Sequence, residues 1–171
     1  MYKNLAPRAT MVVKESTARS MRSNRSTDNR LEVNFRKALW SSGLRGYRKN
    51  VRKLPGCPDV VFGKSGVAVF VHGCYWHRCP KCQKDAPLKT NEAYWRSKLA
   101  ANVERDAISE ERLRALGFYV VVIWECEIRR DIQEAVSRVR DAIGAQQDLI
   151  DSDPSDNMSC PESNLNRATS V

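Results

Sequence analysis

The chain has 171 residues, with 29 lysines and arginines against 20 acidic residues and a formal net charge of +9. That length holds one domain with a real core, and no apolar run approaches the roughly 20 residues a membrane span needs. The charge is uneven: from Asp148 to Val171 five acids face Arg167 alone, so the rest of the chain is more basic than the whole. A basic body of this kind points to a polyanion, nucleic acid first. Met1 to Arg30 lacks the apolar centre of a secretory signal. The expected compartment is therefore the cytoplasm, where thiols stay reduced and clustered cysteines indicate metal rather than disulfides.

Residues 1–26 mix Ser, Thr, Asn and Arg, with Arg19, Arg22 and Arg25 at every third position. This reads as a flexible basic arm, of the kind that lies along a DNA groove. Thr27 or Asp28 is placed to cap a helix running to about Ser42, with Leu31, Phe35 and Leu39 on its buried face and Gly43 as its stop. Glu32 falls in the first turn, where an acid suits the positive helix end. Tyr47 to Leu54 alternates weakly and is basic, and is predicted as a rim strand. Pro55-Gly56-Cys57-Pro58 then forces a turn into a strand Asp59–Phe62. Gly63-Lys64-Ser65-Gly66 closes a hairpin onto Val67–His72, whose apolar run without alternation predicts a central strand covered on both faces.

After a cysteine-rich loop, Thr90 is positioned to cap a helix beginning near Asn91 and ending at Gly117. Phe118 to Trp124 is a further apolar strand, leading into Glu125-Cys126-Glu127. Asp131 to Ile143 reads as a last amphipathic helix, and a disordered acidic tail is expected from residue 146 to 171. The globular domain would then span 27–145. This order predicts an α/β fold, a mixed sheet with helices on its faces. There is no glycine-rich phosphate loop, which argues against a nucleotide hydrolase.

Cys74, Cys79 and Cys82 supply three thiols on one loop. Zinc closes a structural site with four ligands, and the C-x2-C turn is a common half of such a site. Cys126 is the best fourth ligand; Cys57 is a weaker candidate, His77 an alternative, and Cys160 falls in the tail. A second site is suggested by Asp59 on one hairpin strand and His72 on the other. A carboxylate at such an edge binds Mg²⁺, which takes oxygen ligands and supports phosphodiester cleavage. His72 and His77 titrate near neutral pH and are candidates to hold or deprotonate water, with Asp106 placed to orient one of them.

Several blocks in order resemble the very-short-patch repair (Vsr) mismatch endonucleases. They are Pro55-Gly56-Cys57-Pro58-Asp59, Val69-Phe70-Val71-His72-Gly73-Cys74-Tyr75-Trp76-His77, Tyr94-Trp95, Asn102-Val103-Glu104-Arg105-Asp106 and Val122-Ile123-Trp124-Glu125-Cys126. The resemblance runs from about Ser16 to Arg130. It implies a restriction-endonuclease-like fold with a structural zinc and a Mg²⁺-dependent nick 5′ of the thymine in a T·G mismatch left by 5-methylcytosine deamination. By position, Asp59 and the main-chain carbonyl of Val71 would bind Mg²⁺, and His77 paired with Asp106 would be the general base. His72 and Glu32 would hold metal-bound water. Tyr75, Trp76 and Trp95 would wedge into or stack on the duplex beside the mismatch, and the basic arm would clasp it. The partners implied are mismatched double-stranded DNA and other mismatch-repair proteins; the setting is a bacterial cytoplasm at the nucleoid, and a monomer suffices for a single nick.

The chain departs from the family and its relatives in places. Related sheet nucleases carry an acid-x-Lys pair where this chain has Phe70-Val71-His72, so histidine must activate water. Val71 stands where members often have Thr, Cys57 where Arg is common, and Cys79 and Cys82 where histidine is often mixed in. Two other readings of the same chain are a catalytically silent, zinc-stapled mismatch binder and a site-specific nickase of a restriction system.

Overall fold

A computed structural model describes residues 29–83 and 91–152. Helix α1 (Arg30–Ser41) opens the described chain, and its cap is Asn29, whose side chain accepts from the amide of Glu32. The expected caps, Thr27 and Asp28, lie outside the described residues, as do Arg19, Arg22, Arg25 and the arm that holds them. Phe35 and Leu39 are fully buried, each worth roughly 1.5–3 kcal/mol against exposure. Gly43, at φ +83°, turns the chain out of the helix.

Four strands follow in the spatial order β1-β2-β3-β4: β1 (Arg48–Lys49), β2 (Val60–Phe62), β3 (Val67–His72) and β4 (Tyr119–Trp124). β1–β2 and β2–β3 are antiparallel, and β3–β4 is parallel with Val71 opposite Ile123 and His72 opposite Trp124. The architecture is thus the mixed α/β sheet flanked by helices that the element order implies. β1 is far shorter than the expected Tyr47–Leu54. Asn50 adopts a left-handed φ of +48° that breaks the regular ladder, although the Asn50 and Val51 amides still donate to the Asp59 and Pro58 carbonyls before the chain turns.

β3 is buried at all six positions, as its unbroken apolar run requires. Its faces still alternate. Val67, Val69 and Val71 pack with Phe35, Leu39, Val136 and Val139, while Ala68 and Phe70 pack with Val61, Leu113 and Phe118. With a period of two, His72 shares the side of Ala68 and Phe70.

Helix α2 (Glu92–Ala115) is one unbroken rod of 24 residues. Thr90 is outside the described residues; Asn91 occupies the cap position with a left-handed backbone and no side-chain cap bond. Gly117, at φ +85°, ends the turn after it. A short helix α3 (Glu125–Arg130), which periodicity did not foretell, follows β4 directly, so Cys126 sits on a helical first turn rather than on the strand. Glu127 starts that helix by accepting from the Trp124 amide at 2.9 Å. Helix α4 (Ile132–Ser152) runs well beyond Ile143 and into the stretch from 146 that was expected to be disordered. Its buried face, Ala135, Val136, Val139 and Ala142, ends near the predicted boundary. The extra turns are exposed, with Leu149 and Ile150 in the open. Residues 153–171 fall outside the described chain. Among the described residues no helix is long and apolar enough to cross a membrane.

Candidate active site

The loop after β3 folds back on itself through hydrogen bonds from the His77 amide to the Gly73 carbonyl and from the Cys79 amide to the Cys74 carbonyl. Arg78, at φ +50°, makes the reversal. This gathers Cys74, Cys79 and Cys82, and α3 brings Cys126 to them. All four sulfurs lie within 4.8 Å of one another, and the Cys79 and Cys126 Sγ atoms are 3.8 Å apart. Metal–thiolate bonds of about 2.3 Å give a tetrahedron an S···S edge of about 3.8 Å, so the four-cysteine cluster can hold a metal ion. Cys57 is not part of it. His77 is turned to another partner, described below, and Cys160 is outside the described residues.

The thiols are already electrostatically divided. Burial pushes Cys74 far up. Burial also opposes ionisation of Cys79, but the amides of Lys81 and Cys82 donate to its sulfur and hold it below the ordinary thiol value. Two acids fasten the loop to α3: the Cys74 amide donates to Glu125 at 3.2 Å, and Lys81 pairs with Glu127 at 2.7 Å. Glu127 also takes Arg138 of α4 at 2.8 Å. Burial works against its charge, yet Lys81, the Trp124 amide and Arg138 together keep its carboxyl below the usual value. Neither Glu125 nor Glu127 was singled out in the sequence; their place either side of Cys126 was the available signal.

A second cluster lies on the α2 side of β3. The His72 and His77 rings stack with centroids 4.0 Å apart and planes within 6°. Asp106, from the middle of α2, accepts from His77 Nδ1 at 2.5 Å. With Asp106 as an ionised carboxylate, which can only accept, the neutral imidazole carries its proton on Nδ1 and keeps a lone pair on Nε2. The three ligand atoms lie within 4.8 Å. Parallel rings, however, hold their in-plane nitrogen lone pairs in two separate parallel planes, which do not meet at a common point. This arrangement handles protons more readily than it chelates. His72 is boxed by Phe70, His77 and Trp124, and burial, then His77, push it down to about 4, so it is neutral at physiological pH.

Asp59, just before β2, reaches across the hairpin and accepts from the Val71 amide at 2.7 Å. That bond places the carboxylate beside the Val71 main chain. Burial pushes the Asp59 carboxyl up to about 7; the Val71 amide opposes this, and Glu32 adds to it. Glu32 is buried in the first turn of α1, with Arg36 3.8 Å away and equally enclosed. Glu32 is near enough to Asp59 to raise its carboxyl while Arg36 lowers it, and oxygen donors of this kind suit a hard cation, which would offset the cost of ionising both. Arg36 was missed in the sequence, although its spacing of four from Glu32 was visible.

The aromatics form a continuous row. Tyr75 meets Trp76 at 5.2 Å, Trp76 meets Trp95 at 5.8 Å, and Trp95 meets Tyr94 at 5.4 Å, with Lys98 over the last two rings. Asn102 of α2 holds the segment by donating to the Trp76 carbonyl at 3.1 Å. Tyr75 is exposed, but Trp95 is buried, so in the free protein Trp95 backs Trp76 rather than standing out as a wedge.

The family model for the DNA mismatch endonuclease Vsr matches residues 10–84. The chain is 38% identical to the type II nicking enzyme V.NmeAIP of Neisseria meningitidis serogroup A, over 69% of this chain and 87% of the relative. It is 40% identical to the type II nicking enzyme V.NaeI of Lentzea aerocolonigenes, over 74% and 75% respectively. With the DNA mismatch endonuclease Vsr of Escherichia coli K12 it shares 34% identity over 68% of this chain and 73% of the relative. Fold, site and relatives together define a DNA endonuclease. The chain belongs to the Vsr DNA mismatch endonuclease family.

Proposed function

We propose that this endonuclease nicks one strand of DNA 5′ of the thymine in a T·G mismatch, in a Mg²⁺-dependent reaction. The observation that supports it best is the Asp106–His77 pair, with His77 stacked on neutral His72 and Asp59 near enough to feel both His77 and Glu32 electrostatically. His77 is the general base: Asp106 fixes its tautomer and leaves Nε2 free to take a proton from water. His72, neutral and held by aromatic contacts, accepts or donates a hydrogen bond to water without adding charge. Asp59 and the Val71 carbonyl would hold Mg²⁺, which would supply charge neutralisation at the phosphate being cut. Glu32 orients water at the same cleft. The four-cysteine cluster would hold Zn²⁺, since a closed all-thiolate tetrahedron suits that ion; such an ion would keep the loop bearing Tyr75, Trp76 and His77 in register with α3.

Tyr75 and Trp76 enter the duplex at the mispair, with Trp95 supporting them, and the arm carrying Arg19, Arg22 and Arg25 clasps the groove. Unstacking a base step costs a few kcal/mol and less at a mispair, which gives the discrimination. The protein acts as a monomer at the bacterial nucleoid, where other mismatch-repair proteins would meet its product. Several relatives are named type II nicking enzymes, which favours one second reading: the same chemistry confined to a particular flanking sequence.

Single-turnover nicking tests the assignment. His77→Ala and Asp59→Ala should each abolish cutting of a T·G duplex while keeping wild-type affinity within a few fold. Cutting at the wild-type rate by either variant removes that residue from the mechanism.

A further inference from the structure

β3 ends in Phe70-Val71-His72 and carries no lysine or arginine, so it brings no fixed cation to the site. The base cluster itself is His72, His77 and Asp106, none of which offers a fixed positive charge to a phosphate. Arg105 precedes Asp106 on α2. Its guanidinium stands 3.7 Å from Asp106 Oδ1, on the same carboxylate whose Oδ2 accepts from His77. At that separation it is near enough to feel the charge but too far for a hydrogen bond. Its side chain is 60% exposed. By contrast, Arg96, Arg114, Arg129 and Arg130 are each hydrogen-bonded to an acid four residues away.

A guanidinium with open donors, held by charge beside a proton-transfer pair, is prepared for a bidentate oxyanion. We propose that Arg105 binds a DNA phosphate at the cleavage point, either the linkage being cut or the one adjoining it on the same strand. In the free protein it rests against Asp106; in the complex it turns to the phosphate and supplies the positive charge that β3 lacks. This rests on reading His77 and Asp106 as the cleavage site.

The test compares wild type, Arg105→Gln, Arg105→Lys and His77→Ala on a short T·G duplex. Affinity is measured over a series of KCl concentrations without added Mg²⁺, then on duplexes with one uncharged methylphosphonate linkage at the cut or beside it. Arg105→Gln should flatten the slope of log affinity against log salt by about 0.9, one phosphate contact, and Arg105→Lys should keep it. One neutralised linkage should weaken wild type and leave Arg105→Gln unaffected. Nicking by Arg105→Gln should fall roughly 10–100-fold, as for loss of a charged hydrogen bond.

The proposal is overturned if Arg105→Gln keeps the wild-type slope and remains sensitive to each neutralised linkage; its effect on nicking would then run through Asp106. It is equally overturned if only linkages away from the cut lose their effect. His77→Ala separates this from the underlying site. If it still nicks, the cleavage-site reading fails; if it is inactive with a wild-type salt slope, that reading stands whatever Arg105 does.

Discussion

Asp59→Asn should make the metal-free protein more stable at pH 8 while removing its nicking activity. Asparagine keeps an acceptor for the Val71 amide, so the 2.7 Å bond that seats Asp59 survives. What is lost is the buried charge. The carboxyl is pushed from its ordinary 3.8 to about 7. At about 1.4 kcal/mol per pH unit, ionising it in the fold costs roughly 2–4 kcal/mol at pH 8, the lower end allowing for its part exposure. The folded carboxyl holds its proton more tightly than the unfolded chain. The penalty is therefore absent below pH about 4, grows from there to about 7, and is complete above. His72 runs the other way: pushed down to about 4, it costs stability as pH falls from about 6.5 towards that value. Between about pH 4 and 6.5 both are costs whose pH slopes nearly offset each other in the wild type, so the difference between wild type and variant is the informative quantity. Urea denaturation without divalent ions should show the variant ahead at pH 8 by that amount and level with wild type near pH 4. Added Mg²⁺ should raise the stability of wild type and leave the variant unchanged, because a ligand stabilises only the form it binds. An advantage that is missing at pH 8, or as large at pH 4, would refute the argument.

Cys126→Ala should drop zinc below one ion per chain by elemental analysis of the dialysed protein; an unchanged ion would remove Cys126 from the site. Asp106→Asn should lower single-turnover nicking by about 10²–10⁴-fold, since an asparagine that donates to Nδ1 leaves the proton on Nε2; an unaffected rate would mean that His77 is not the base. Trp76→Ala should narrow the affinity gap between T·G and matched duplex more than it weakens matched binding. Equal losses would assign Trp76 to packing against Trp95 alone.

Much of this site was legible because its residues sit on elements with strong local rules. The hairpin was marked by Gly63 to Gly66, and the unbroken apolar run of Val67 to Val71 identified a strand buried on both faces. Alternation along it then turns His72 towards the side of Phe70. The four cysteines were readable from the spacing of three and the position of a fourth just beyond a strand. What escaped was decided by tertiary contacts. α3 is only six residues long, less than two turns, too short for an apolar stripe to repeat; Glu127, which bonds the Trp124 amide and two cations, is what establishes it. The far end of α4 carries no buried stripe, so a reading based on burial stopped where burial stops. That Trp95 is buried between ring contacts with Trp76 and Tyr94 is likewise not visible in sequence. Arg36 lay unmarked in a basic chain, its enclosure beside Glu32 visible only once α1 is packed.

The most direct measurement is a nicking assay on end-labelled duplexes that differ only in one pair, T·G or C·G, across several flanking contexts including cytosine-methylation sites, with and without Mg²⁺. The account predicts a single Mg²⁺-dependent cut 5′ of the mismatched thymine, on that strand alone, with the C·G duplex intact. Equal cutting of both duplexes, or tight mismatch binding with no cut in any context, would contradict it.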